Sequence, residues 1–330
     1  MNEWAFEQRL CAHLEARGAL VARQLGAGVH APGNRVVDVV RVEPGPAFDG
    51  RAALTPHEIP GLVLEADLGA GRARYWKDAV RGLDAHPERA REAVDRAVEI
   101  GFLEAERRGG RTYVRQAARY PDEWFGGLTA IENKPDLASP GDLETQLRTD
   151  VSLGLVDRVV LATASHVTGA HRNRLPEAVG LWRFHPERDE LEVLREPRQL
   201  PVGEPGIELL ERRPARDDVA VVPPAAKARA RRRLAERAYG KGWRPGAHAG
   251  CGHAREATVA GVGGLTRCAA FDRLVDPATD CGAGCPAYEA ADPPAVDPDA
   301  ARDEGSPWVA EPAGRAREQG SLDAFTAEDG

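Results

Sequence analysis

One short stretch, Val36-Val37-Asp38-Val39-Val40, restricts the fold of this chain more than any other. Four valines around a single acid read as a strand that is apolar on both sides. A carboxylate buried inside such a strand is costly without a partner. Asp38 therefore needs either a metal ion or an arginine close by.

The rest of the chain divides around this strand. Residues 3–17 read as a helix, with Phe6, Leu10, Cys11 and Leu14 at helical spacing and Gly18 as its stop. Cys11 falls on the apolar face and reads as a core thiol. Residues 51–120 change texture. A helix at 74–83 and another at 86–100 precede two short alternating strands about Gly109-Gly110. That order resembles a winged helix inserted into the core, with Arg107, Arg108 and Arg111 at the wing. Arg89 and Arg96 share one face of the second helix, where they could meet duplex DNA. The segment could equally be an insert that only packs on the core.

The α/β pattern returns at 128–203. Leu128–Glu132 reads as a strand, 140–153 as a helix, and Val159–Thr163 as a buried strand. Gly180–Phe184 and Glu190–Leu194 then pair across a polar turn. Glu132 and Lys134 stand two residues apart at the end of their strand, so strand periodicity puts them on one face. That spacing aims a hard oxygen ligand and an ammonium at one point, although a strand-end ion pair would need the same two residues. Only Lys77, Lys134, Lys227 and Lys241 are lysines among the 44 basic residues. Arginine cannot give up a proton as lysine can, so a lysine here favours chemistry.

Helix, Asp strand, Glu-x-Lys strand, helix and strand occur in the order that resembles the PD-(D/E)xK (restriction-endonuclease-like) nuclease superfamily. The matching residues are Thr129-Ala130-Ile131-Glu132-Asn133-Lys134-Pro135, the helix over 142–153, and Asp157-Arg158-Val159-Val160-Leu161-Ala162-Thr163. The resemblance implies a mixed sheet flanked by helices. It also implies magnesium or manganese on Asp38 and Glu132, Lys134 as the catalytic ammonium, and supporting roles for Glu7 and Gln146. The family joins its two acidic strands by a short hairpin. Here Asp38 and Glu132 are far apart, which the winged-helix-like insert at 51–120 would explain.

Net charge is −8, yet residues 223–244 carry eight basic residues against Glu236 alone. A basic stripe on an acidic protein, including Arg231 and Arg232, suits nucleic acid, or else it is a solvated helix face. Residues 204–222 read as a Pro- and charge-rich linker, so 206–245 is taken as linker and basic helix. Cys251, Cys268, Cys281 and Cys285 then gather in a module over 246–290, with His253 among them. Reduced cysteines grouped this way bind metal more often than they form disulfides. Paired knuckles are missing, so zinc and a 4Fe–4S cluster both remain open.

Residues 291–330, rich in Pro, Asp and Ala, read as a disordered tail. Within it Gln319, Leu322 and Phe325 resemble the Q-x-x-L-x-x-F box that docks on the sliding clamp (PCNA). No apolar run approaches the roughly 18–20 residues of a membrane helix, and the chain opens without a signal-like segment, which fits a cytoplasmic protein. The expectation is a metal-dependent DNA nuclease of repair or replication. The alternative is a DNA-binding regulator or repair scaffold that keeps the fold without cutting.

Overall fold

A computed structural model describes residues 2–31, 33–138, 141–246 and 248–312. The chain forms two compact units. Met1–Phe48 and Glu123–Ala310 make the first. Asp49–Asp122, with the described residues 311–312, make the second.

The first unit opens with α1 (Glu3–Glu15), capped by Asn2, whose side chain accepts from the Ala5 N–H. An antiparallel pair follows, β1 (Leu20–Gly26) and β2 (Val36–Pro44). The chain then leaves for the second unit and returns one hydrogen bond away, where Gly45 N donates to Trp124 O at 2.8 Å.

The second unit contains α2 (Phe48–Ala52), α3 (Gly61–Glu65), β3 (Arg74–Tyr75), α4 (Trp76–Arg81), α5 (Pro87–Glu99), β4 (Leu103–Arg108) and β5 (Arg111–Gln116). Its three strands are ordered β3-β5-β4. Gly109 and Gly110 both take positive φ, 54° and 77°, which is what a tight two-residue hairpin turn demands. Ala90, Val94 and Ala97 bury one face of α5 and leave Arg89 and Arg96 exposed on the other. Its bounds, 49–122, sit close to the expected insert at 51–120.

On return the first unit adds β6 (Phe125–Asn133), α6 (Leu143–Leu153), β7 (Arg158–Thr163), α7 (Gly169–Arg174), β8 (Gly180–His185) and β9 (Glu190–Arg195). The main sheet has six strands in the order β1-β2-β6-β7-β8-β9. It is mixed: β6, β7 and β8 are parallel, and the remaining pairs are antiparallel. Side chains alternate across it. Val39, Ile131, Val160 and Ala162 pack with Phe6, Leu10 and Cys11 of α1 in one core. Val40, Ala130, Val159 and Leu161 are also buried. They point the other way, towards the side of the sheet left to α6 and α8. The result is a mixed sheet flanked by helices.

Two expectations need correcting. The stretch read as a linker, 204–222, contains a hairpin of β10 (Gly206–Arg213) and β11 (Arg216–Val222), closed by Pro214-Ala215. The hairpin is tied down by Glu208, which accepts from the backbone N–H groups of Val29, His30 and Ala31. After it come α8 (Pro224–Lys241), β12 (Ala254–Val259), β13 (Val262–Cys268) and β14 (Arg273–Leu274). The second correction concerns the start of the tail. Residues 298–305 form α9 (Pro298–Gly305), capped by Asp297. Arg302 on this helix is buried and donates to Tyr239 O and Gly240 O, and Trp308 beyond it is also buried. The buried tryptophan and the satisfied guanidinium outweigh the polar composition of the segment. Among the described residues no helix is long and apolar enough to cross a membrane.

Candidate active site

Antiparallel pairing of β2 with β6 runs Val39↔Ile131, Val40↔Ala130 and onward. One step beyond the last pair, the same register sets Asp38 opposite Glu132, on one face. The register that buries the valines therefore also brings the two predicted carboxylates together. The backbone N–H of Asn133 donates to Asp38 Oδ2 at 2.9 Å, which fixes how that carboxylate points.

Two more acids join them. Glu7, 3% exposed on α1, is held by Arg23 and accepts from Asn133 Nδ2 at 3.2 Å. Asn133 thus links Glu7 to Asp38. Gln24 does the same from β1, with Nε2 3.5 Å from Glu7 Oε2 and 3.4 Å from Asp38 Oδ1. Gln24 holds φ at 52°, a left-handed conformation that costs a non-glycine residue ~1–2 kcal/mol. The fourth acid is Asp150 on α6.

Arg35 lies between the last two carboxylates. Its Nη2 is 2.7 Å from Glu132 Oε2 and 2.6 Å from Asp150 Oδ2, and its Nε is 2.7 Å from Asp150 Oδ1. Even so, negative charge is in excess. Burial, then the charge of Asp38, pushes the Glu132 carboxyl up to about 7. Burial also raises Glu7 and Asp150. Carboxyls held this way take up either protons or a cation. Among the described residues, no three His, Cys, Asp or Glu side chains are drawn up around a single point for one metal ion. Arg35 fills the space between Glu132 and Asp150.

Lys134 stands just past β6. Its backbone N–H donates to Ala162 O at 2.9 Å, and its Nζ lies 3.6 Å from Glu3 Oε2. Glu132 and Lys134 thus have different ion-pair partners. A second lysine approaches from α8, where Lys241 Nζ donates to Gln24 O at 2.8 Å. Gln146 is half-buried on α6, and the α6 carboxylate that reaches the cluster is Asp150, one turn further on.

The other expected sites are dispersed. Arg107, Arg108 and Arg111 are exposed at the β4–β5 tip, where Arg108 pairs with Glu106 and Arg111 lies over the Tyr75 ring at 5.6 Å. Arg231 is half-buried and committed to the fold, donating to Leu155 O at 2.8 Å and Asp157 Oδ2 at 2.7 Å. Arg232 is half-buried beside it. Cys251, Cys268, Cys281 and Cys285 line a separate pocket, and Cys11 is fully buried in the α1 core. Gln319, Leu322 and Phe325 lie outside the described residues.

A family model described as a family of unknown function (DUF5787) matches residues 20–290. No curated protein matches the chain, and no solved structure matches it.

Proposed function

The chain belongs to DUF5787, a family of unknown function, and we propose that it is a magnesium- or manganese-dependent DNA nuclease of the PD-(D/E)xK type. The observation that carries this reading is the meeting of Asp38 and Glu132 across β2 and β6, with Glu7 and Asp150 behind them. The order α1, β1, β2, β6, α6, β7, with β6 and β7 parallel, supports the same fold family.

The residues present suit a hard divalent cation. The neighbouring acids are all carboxylates, hard oxygen donors, and burial together with the Asp38 charge raises the Glu132 carboxyl to about 7. Asp38 and Glu132 would hold the ion. When bound, it polarises a phosphate and makes a water nucleophile accessible near neutral pH. Glu7, Asn133 and Gln24 keep Asp38 oriented. Arg35 neutralises Glu132 and Asp150. Lys134 holds or passes a proton at Nζ and offsets charge on the phosphate.

In the second unit, the order α3-β3-α4-α5-β4-β5 with sheet order β3-β5-β4 supports a winged helix. It would meet duplex DNA through Arg89 and Arg96 on α5 and through the Arg107, Arg108 and Arg111 tip. Docking of Gln319, Leu322 and Phe325 on a sliding clamp rests on sequence alone. A peptide of residues 312–330 titrated into a clamp tests it.

The test of the main reading is cleavage of single-stranded, duplex, flap and branched DNA by the full chain, with and without magnesium or manganese. Asp38→Ala, Glu132→Ala and Lys134→Ala should each abolish it. If the wild type cuts none of these with either metal, the nuclease reading fails. One observation favours a second reading, a DNA-binding regulator: Arg35 already bridges Glu132 and Asp150. Binding without cutting would support it.

A further inference from the structure

Four of the five cysteines come together although their sequence positions span 251 to 285. Cys251 precedes β12 and Cys268 ends β13, and the ladder pairs Ala254 with Cys268. Cys281 and Cys285 lie in the loop after β14. That loop turns back on itself: Asp280 N donates to Asp276 O at 2.8 Å, and Cys285 N donates to Gly282 O at 2.9 Å. Gly282 has φ 145°, which a side chain would resist, and it lets the loop fold Cys281 and Cys285 back together. All four thiols line one pocket of about 190 Å³, with Phe271 and Tyr288 among the other walls. None is in a disulfide.

Four sulfurs around one hollow form a soft donor set. Arg273, on the wall of the pocket, is drawn to Asp280, 3.7 Å away. His253 is engaged elsewhere, its Nε2 3.3 Å from Glu289.

We infer that Cys251, Cys268, Cys281 and Cys285 bind one thiophilic metal centre through four thiolates, either a single zinc ion or an iron–sulfur cluster. The thiols surround the hollow without closing on one point. A zinc ion would draw the sulfurs inward to about 2.3 Å, whereas a cluster would span the gap between them. Each route displaces the thiol protons, so binding tightens as pH rises. The inference is independent of the nuclease reading, because it concerns metal content and not cleavage.

The test uses the full chain purified without added metal, under argon and in air. Elemental analysis should find about one zinc per chain, or about four irons with matching acid-labile sulfide and absorbance near 400 nm. Iron and absorbance lost in air identify the cluster. Zinc that survives air identifies the single ion. Cys268→Ser and Cys285→Ser should lose the metal. Because these variants could misfold, the wild type is also titrated with a thiol reagent in the native state. Four thiols should be protected until a chelator is added, with Cys11 as the buried control. Substoichiometric zinc and iron, with the four thiols freely reactive or joined in disulfides, would overturn the inference. So would undiminished metal in the serine variants.

Discussion

Arg35 Nη2 lies 2.7 Å from Oε2 of Glu132, a residue 97 positions further along the chain. The same nitrogen lies 2.6 Å from Asp150 Oδ2, so one guanidinium serves two buried carboxylates. Arg35→Met removes that charge while keeping much of the side-chain volume. Loss of one member of a buried ion pair costs ~3–5 kcal/mol, because the partners stay buried and unpaired. Urea unfolding should register that loss. Millimolar manganese should restore stability more in the variant than in the wild type, since a cation that binds only the folded chain stabilises it by mass action. Equal effects of manganese on both proteins would argue against a cation site here.

Glu132 sets a pH dependence whose sign is opposite to that of a salt-bridged acid. Its folded pKa, about 7, lies above the ordinary 4.5. Between those values the folded chain keeps a proton that the unfolded chain has lost. Stability from this group is therefore full below about pH 4.5, falls as pH rises towards 7, and levels off above it. The whole change is ~3 kcal/mol at most. Glu7 and Asp150, both raised, add in the same direction. Urea midpoints from pH 5.5 to 8.5 should fall less steeply in Glu132→Gln than in the wild type. Identical slopes would remove Glu132 from the explanation.

Lys134→Arg separates charge from proton transfer. Arginine can keep the contact with Glu3, a surface pair worth at most about 1 kcal/mol, so thermal stability should hardly move. Cleavage should fall ~10²-fold or more if Nζ passes a proton. Full activity in the arginine variant would limit Lys134 to an electrostatic role.

DNA affinity offers a separate handle. Arg107→Ala with Arg111→Ala should weaken duplex binding by the full chain, measured by fluorescence anisotropy. The slope of log affinity against log salt should drop by about 2, one for each phosphate that is no longer neutralised. An unchanged slope would place the DNA elsewhere.

Much of the main sheet was legible in sequence. The valines about Asp38 and the apolar residues before Glu132 make runs of strand-forming residues, and both strands form where expected. What sequence could not supply was register and partner. Arg35 looks like any loop arginine, and nothing local indicates that it reaches α6. Asp150 could have been found, because it lies four residues after Gln146 and so shares its helix face. Gln24 gives no hint of its positive φ. The β10–β11 hairpin was hidden because its apolar residues Ile207, Val219 and Val221 are exposed while the charged Glu208 is buried, the reverse of the usual alternation. Within the basic stripe, the inward turn of one arginine was not legible either. Arg231 is drawn inward by Asp157, a partner remote in sequence.

The hydrogen bond from Gly45 to Trp124 bears on how this chain folds. β2 and β6 are sheet neighbours, yet the whole second unit separates them in sequence. Closing so long a flexible loop costs roughly 3 kcal/mol more than closing a two-residue turn. A unit that folds first pays that cost internally and hands the two strands to each other as a hairpin would. The central ladder can then nucleate early despite its high contact order. A chain with Asp49–Asp122 replaced by a short turn is expected to keep amide-exchange protection along β2 and β6, but to refold at a different rate.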